Sequence, residues 1–211
     1  MLKLEAYERF KESLLSGKLE PGQFVTQKEL ANIAEVPLGS IREAIQVLER
    51  DELLKVYPQR GIQITDISFK LIRSAYQFRI ILETWAVRYF AENVPDATID
   101  GLIKETQTII DKSEEGITPQ LQAEAVEVDW KMHDMIIDFA KNDILSNNYR
   151  INSTKIRLIR LSNTLSDDRL IPALREHILI LNACKERNPE KASKLLEDHL
   201  LTSQRRAESG N

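Results

Sequence analysis

The sequence predicts a mainly α protein: an N-terminal winged helix-turn-helix followed by an all-helical bundle of about six helices. Three observations carry this expectation. Turn-forming residues crowd the first 66 positions, which hold four of the seven glycines (Gly17, Gly22, Gly39, Gly61) and three of the seven prolines. Between them lie three short helical patterns and two β-rich runs. Beyond Asp66 the segments lengthen and apolar residues recur every three or four positions, the period of an amphipathic helix. The boundary is placed at residue 66, giving parts 1–66 and 67–211 with no Gly/Ser-rich linker between them.

In the first part, Tyr7 to Leu15 reads as a helix stopped at Ser16-Gly17, and Leu19-Glu20-Pro21-Gly22 as a turn. Thr26-Gln27-Lys28-Glu29 is a capping box, in which hydroxyl and carboxylate satisfy each other's free backbone N–H groups, so a helix runs from there to about Ala34. A third helix spans about Leu38 to Asp51, with Ile41, Ala44, Ile45 and Leu48 inward. Leu53–Tyr57 and Ile62–Thr65, separated by Pro58-Gln59-Arg60-Gly61, form a hairpin. The second part reads as helices over about 68–93, 98–115, 120–141, 144–165, 169–187 and 189–205, with Val94-Pro95 and Asn188-Pro189 as breaks.

Composition narrows the function classes. Hydrophobic residues make up 42% and charged residues 29% of the 211, which suits a folded chain and excludes a disordered or collagen-like one. No apolar run approaches the roughly 18 residues a membrane helix needs. The opening Met1-Leu2-Lys3-Leu4-Glu5 lacks a signal-peptide pattern, so the expected location is the cytoplasm. The single cysteine, Cys184, cannot form an intramolecular disulfide. A formal charge of −4 excludes a wholly basic nucleic-acid coat.

A winged helix-turn-helix usually places a helix in the major groove and its hairpin tip on the backbone or minor groove. Residues 1–66 carry 9 Lys+Arg against 11 Asp+Glu, so any DNA-binding basic groups must be gathered on one face. Lys28, Arg42 and Arg60 stand where that face would be: the second helix, the first turns of the third, and the hairpin tip.

The order Gly17-x-Leu19-x-Pro21-Gly22, Glu29-Leu30-Ala31, Val36, Ser40-Ile41-Arg42-Glu43-Ala44-Ile45-x-x-Leu48 and Gly61 resembles the DNA-binding domain of the GntR family of bacterial transcription regulators. The resemblance implies that Lys28 and Arg42 meet DNA and that Arg60 with Gly61 forms the wing tip. The family usually has Ser or Thr, often followed by Arg, where this chain has Pro37-Leu38-Gly39. The expected consequences are a helix cap passed to Ser40 with Glu43, Ser40 joining the DNA-facing set, and an altered base preference without Leu38 as a reader.

In the second part the informative residues are polar ones falling on apolar stripes. Val126, Asp129, His133, Ile136 and Ala140 follow a 3, 4, 3, 4 spacing; Leu170, Leu174, His177, Leu181 and Cys184 do likewise, as do Ala192, Leu195, His199 and Thr202. All three histidines therefore point inward. A buried carboxylate needs a compensating cation or donors, and a divalent metal among Asp129, His133, His177 and His199 would satisfy all four. The alternative is three separate core histidines, each with its own partner. Arg79 shares a stripe with Ile72, Ala75, Leu82 and Ala86, and an inward guanidinium wants an anion: an effector, or Glu83 in an ion pair. Arg157 and Arg160 are weaker effector candidates, since Ser153, Arg157, Arg160 and Thr164 could equally form a wet face. Trp85 and Trp130 read as core aromatics.

This part is similar to the FCD ligand-binding domain of the FadR subfamily, through Arg79-x-x-Leu82-Glu83, Asp129-x-x-x-His133, Ala140-Lys141-Asn142, Glu176-His177-x-x-Ile180, Asn188-Pro189-x-x-Ala192 and His199. The resemblance implies that Asp129, His133, His177 and His199 ligate a divalent ion, commonly zinc, nickel or manganese, beside a pocket for a small carboxylic acid. The expected protein is an effector-responsive regulator that binds a two-fold DNA operator as a homodimer. A metal sensor and a metalloenzyme are the alternatives, the latter opposed by the lack of a nucleophile arrangement or a phosphate-binding glycine loop.

Overall fold

The computed structural model describes residues 2–162 and 169–209. Its elements run α1 (Leu2–Leu15), β1 (Phe24–Val25), α2 (Gln27–Ile33), α3 (Leu38–Arg50), β2 (Leu54–Tyr57), β3 (Gly61–Ile64), α4 (Phe69–Asn93), α5 (Asp96–Ser113), α6 (Pro119–Asp138), α7 (Asp143–Ser162), α8 (Leu170–Lys185) and α9 (Pro189–Ser209). The expected mainly helical class with a small wing is what the chain adopts. Two compact units result, one of Met1–Ile72 with the part of α7 from Ile151 onward, the other of Arg73–Arg150 with α8 and α9.

The first unit packs Phe10, Leu14, Leu30, Ile41, Leu48, Ile62 and Ile64 into one core, which Leu158 of α7 joins. Each such fully buried aliphatic or aromatic side chain stabilises the unit by about 1.5–3 kcal/mol. The capping box is present: Glu29 N–H donates to Thr26 Oγ1 (3.2 Å) while Thr26 N–H donates to the Glu29 carboxylate (2.7 Å). α1 starts at Leu2 rather than Tyr7 because Ala6 extends the inward stripe of Phe10 and Leu14 by a further turn. The sheet has the order β1-β3-β2, both pairs antiparallel. Sequence reading misses β1, a two-residue strand too short for any periodic signal, whose structure comes from the ladder edge of β3.

The third helix corrects one expectation. α3 begins at Leu38 with Pro37 at the N-cap and no side-chain cap; Ile41 N–H already reaches Pro37 O at 3.2 Å. Helical geometry is thus established before Ser40, so the cap does not pass to that residue, which turns inward.

In the second unit, Val87, Phe90, Met132, Ile136, Ile137, Leu181, Cys184, Leu196 and Leu200 form the main core. Burial pushes the Cys184 thiol up to about 12, leaving it a small apolar group rather than a reactive one. Helix starts follow local chemistry. Thr118 Oγ1 accepts from Leu121 N–H (3.1 Å), and Asn142 and Asn188 side-chain oxygens accept from Leu145 and Lys191 N–H (3.1 and 3.0 Å). α6 stops at Asp138, short of the expected residue 141, because Lys141 takes a left-handed φ of 49° and closes the turn. The helix expected over 144–165 is described through Ser162; its last three positions, with Thr164 among them, lie outside the described residues.

Gly61 opens β3 opposite Tyr57 at φ +103°, and a Cβ there would stand 2.9 Å from the backbone oxygen of Val25. Gly61→Ala is expected to destabilise the first unit by about 1–3 kcal/mol, lowering the urea midpoint of unfolding followed by circular dichroism; an unchanged midpoint would contradict the close approach.

Candidate functional site

In the first unit the exposed side of α3 presents Leu38, Gly39, Arg42, Glu43 and Gln46, and Lys28 is exposed on α2. Arg42 Nε donates to Gln27 Oε1 at 3.1 Å, so the guanidinium is held across the helix pair rather than left to swing. The neighbouring Glu29 carboxylate is taken up by the cap and held below its ordinary range by the Thr26 backbone N–H. At the wing, Arg60 lies over the ring of Phe24 (5.5 Å), which is itself 5.7 Å from the ring of Tyr57. Gly61, next along, provides the positive φ that lets the hairpin close. Lys28, Arg42 and Arg60 are thus all exposed on this unit. Ser40 is corrected: at 6% exposure it sits with Ile41 and Ala44 on the core side and leaves the DNA-facing set. Phe24 and Gln27, which steady the two arginines, carry no sequence signal beyond an aromatic and an amide near basic residues.

In the second unit α6, α8 and α9 bring His133, His177 and His199 together, all buried. One ring nitrogen of each lies within 4.8 Å of the others, a group able to hold a metal ion. His177 Nε2 is 3.3 Å from His199 Nε2 and 3.7 Å from Asp129 Oδ1. The orientation of two rings is set from behind. His133 Nδ1 is 2.6 Å from Glu83 Oε2, and His199 Nδ1 is 2.6 Å from Glu176 Oε2. Ionised carboxylates only accept, so both rings carry their proton on Nδ1 and direct the Nε2 lone pair away from the carboxylate. His133 Nε2 is buried and has no hydrogen-bond partner among the described residues; nor has His177 Nδ1. An unmet buried acceptor costs about 1–3 kcal/mol, which a cation would relieve.

Each carboxylate is in turn held by an arginine: Glu83 by Arg79 Nε, and Glu176 by both ends of the Arg169 guanidinium. Burial works against the ionised form of Glu83, yet Arg79 and His133 outweigh it and hold the carboxyl at about 2. Glu176 is likewise held at about 2 against its burial, by hydrogen bonds from His199 and Arg169. Burial, then the charge of Arg79, lowers His133; burial, then the neighbouring imidazoles, drives His177 well below its ordinary value. Both therefore present neutral rings near pH 7.

Arg79 is 2% exposed and stacks over Trp130 at 5.2 Å. Its ion pair with Glu83 is present, but its Nη2 has no hydrogen-bond partner among the described residues. Arg160 falls in the part of α7 that groups with the first unit, whereas the histidines belong to the second. Two inward assignments are corrected. Trp85 is not a core aromatic: it is 52% exposed and stacks parallel on Tyr89. Val126 is exposed because the inner face of α6 runs through Leu121, Ala125, Asp129, Met132 and Ile136, leaving Val126 at its edge. Sequence reasoning quoted Glu83 and Glu176 without seeing their role behind the histidines. The only available signals were the i, i+4 spacing of Arg79 and Glu83 and the position of Glu176 beside His177.

The sequence pattern of the gntR family of bacterial regulatory proteins matches residues 2–64, and that of the FCD domain matches residues 74–202. The HTH-type transcriptional regulator YdhC of Bacillus subtilis (strain 168) is 30% identical over 201 residues, covering 93% of this chain and 86% of that one. The chain belongs to the GntR family. This GntR-family chain is also 25% identical over 207 residues to the HTH-type transcriptional repressor NanR of Klebsiella aerogenes, covering 86% of this chain and 75% of that protein. Among solved structures, E. coli McbR/YncC shares the fold with a TM-score of 0.76 at 20% identity, over 99% of this chain and 98% of that one. The protein is thus a DNA-binding transcription regulator carrying an FCD domain, and its families and relatives are regulators rather than enzymes, which overturns the metalloenzyme alternative.

The shifted groups set a pH dependence. Buried imidazoles lowered from 6.5 and carboxylates held below 4.5 mean that the unfolded chain takes up protons before the native one as pH falls. Stability is therefore full above about pH 7, declines as pH falls below 6.5, and declines again between 4.5 and 2. A metal-free sample should show its thermal midpoint falling in that direction; a midpoint that rises from pH 7 to 5.5 would contradict it.

Proposed function

We propose that residues 1–66 grip a two-fold DNA operator while residues 67–211 dimerise and hold a divalent cation beside a small carboxylic-acid effector, whose binding resets operator affinity. The observation that carries this reading is the buried His133 Nε2 beside His177, His199 and Asp129, together with the Nη2 of buried Arg79, neither of which has a hydrogen-bond partner among the described residues. Neutral imidazoles with one carboxylate suit zinc, nickel or manganese. When bound, the cation would supply positive charge and open coordination positions for an effector carboxylate. Arg79 Nη2 would take an oxygen of the same carboxylate, its plane fixed by Trp130 and by Glu83. The guanidinium is what favours an effector over a pure metal sensor, since an ion that is itself the signal needs no second, anion-seeking group. An effector with unequal affinity for two states of the domain shifts their populations and hence DNA binding.

The homodimer is supported by α4. From Ser74 to Thr84 its exposed and half-exposed positions carry no charge, and Phe78, Ile81, Trp85 and Tyr89 form one exposed stripe on its surface. Aromatic enrichment with charge depletion marks the centre of a protein interface. One helical stripe also pairs readily with its own copy about a two-fold axis.

Three measurements test the reading. Elemental analysis of the purified protein should find roughly stoichiometric metal, and His133→Ala should abolish it and remove the rise in thermal midpoint on adding zinc; undiminished metal content in the variant would refute the centre. With a duplex operator obtained by in vitro selection, Arg42→Ala should weaken binding about tenfold and reduce the slope of log affinity against log salt by about one. Equal affinity and equal slope would remove Arg42 from the DNA face. Adding carboxylic acids at constant zinc should change operator affinity; a sensor would respond to chelator alone.

A further inference from the structure

Behind the two carboxylates stand two arginines, and Arg79 holds Glu83 through Nε while its terminal Nη2, buried, has no hydrogen-bond partner among the described residues. Glu83 Oε1 accepts from Arg79 Nε and Glu83 Oε2 from His133 Nδ1, and the whole set is buried. Glu176 has the same arrangement toward His199, but it takes up both Nη atoms of its arginine, Arg169, so that only the Nε of that guanidinium is buried without a partner among the described residues, and Glu176 itself is half-exposed. The two histidines are thus held by similar means, yet only His133 is tied to an arginine with a terminal nitrogen left unmet among the described residues, the end of the guanidinium that can turn to an anion.

We propose that Glu83 is a positioning residue that ties the anion-binding Arg79 to the metal ligand His133, so that what happens at the arginine is felt as a change in cation affinity, whereas Glu176 only orients His199. The inference rests on the functional reading above and names the regulatory connection within that site. Charge drawn from Glu83 by Arg79 is charge withheld from the His133 N–H, and the basicity of a ligating imidazole follows the acceptor behind it. Rotation of Arg79 to meet an incoming carboxylate would alter the acceptor strength seen by His133, and by linkage the cation would alter affinity for the anion equally.

The test uses zinc alone on the full-length protein. Zinc affinity is measured by competition with a chromophoric chelator, and ligand geometry by the visible absorption of the cobalt(II) form. Glu83→Gln and Glu176→Gln are each expected to weaken zinc binding about 10- to 100-fold and to shift the cobalt bands, a signature that a merely structural ion pair would not move. Arg79→Met combined with Glu83→Gln should be non-additive by severalfold, while Arg79→Met combined with Glu176→Gln should multiply. Glu83→Asp, which keeps a counter-charge for Arg79 while drawing back from His133, serves if Glu83→Gln does not fold, and should also weaken zinc. Zinc affinity within twofold of wild type in the folded Glu83 variants, or multiplication in both combinations, would overturn the proposal. If the unsubstituted chain takes up no zinc, the functional reading fails and this one with it.

Discussion

Two imidazoles in the helical unit are turned the same way by carboxylates at their backs, and much of the unit's chemistry follows from that constraint. A carboxylate kept ionised by an arginine accepts a proton-bearing Nδ1, which leaves the opposite lone pair facing the interior. The interior offers His133 Nε2 no donor among the described residues. A polar centre of this kind would be a net cost to folding if it stayed empty of positive charge, and is out of place in a core otherwise filled by residues such as Phe90, Met132 and Leu181. Its persistence in the fold is most simply explained by a use.

Charge bookkeeping explains why the first unit can bind DNA although its residues sum to a negative charge. What counts is where the charges are engaged locally: Glu29 is taken up by a helix cap and Asp51 accepts from Tyr7 at 2.9 Å, while Lys28, Arg42 and Arg60 remain exposed. The aromatic support beneath Arg60 and the amide beside Arg42 restrict both side chains, which would reduce the entropy lost if they met a phosphate or a base.

Legibility in the sequence followed the range of the interaction. Thr26 with Glu29, the hairpin punctuation and the 3, 4 spacing of Asp129 and His133 are local, and each was readable because its physics closes within one turn or one loop. β1 was not readable, because its two residues become a strand only by pairing with β3, nearly forty positions away. Trp85 misled for a related reason: hydrophobicity says that an aromatic seeks cover but not whether the cover is its own core or another surface. Ser40 misled because a hydroxyl near a helix start resembles a cap until the proline before it has already set the turn.

By itself the sequence determined the helix-turn-helix with its wing, the helical second part, and the inward direction of every histidine, since these depend on periodicity, capping and turn chemistry within short stretches. Only the tertiary structure decided that the three rings converge, that Glu83 and Glu176 stand behind two of them, and that one donor of Arg79 has no partner among the described residues. Helical spacing fixes which way a side chain leaves its own helix; which residues meet it there depends on how separate helices pack, and no local pattern carries that information.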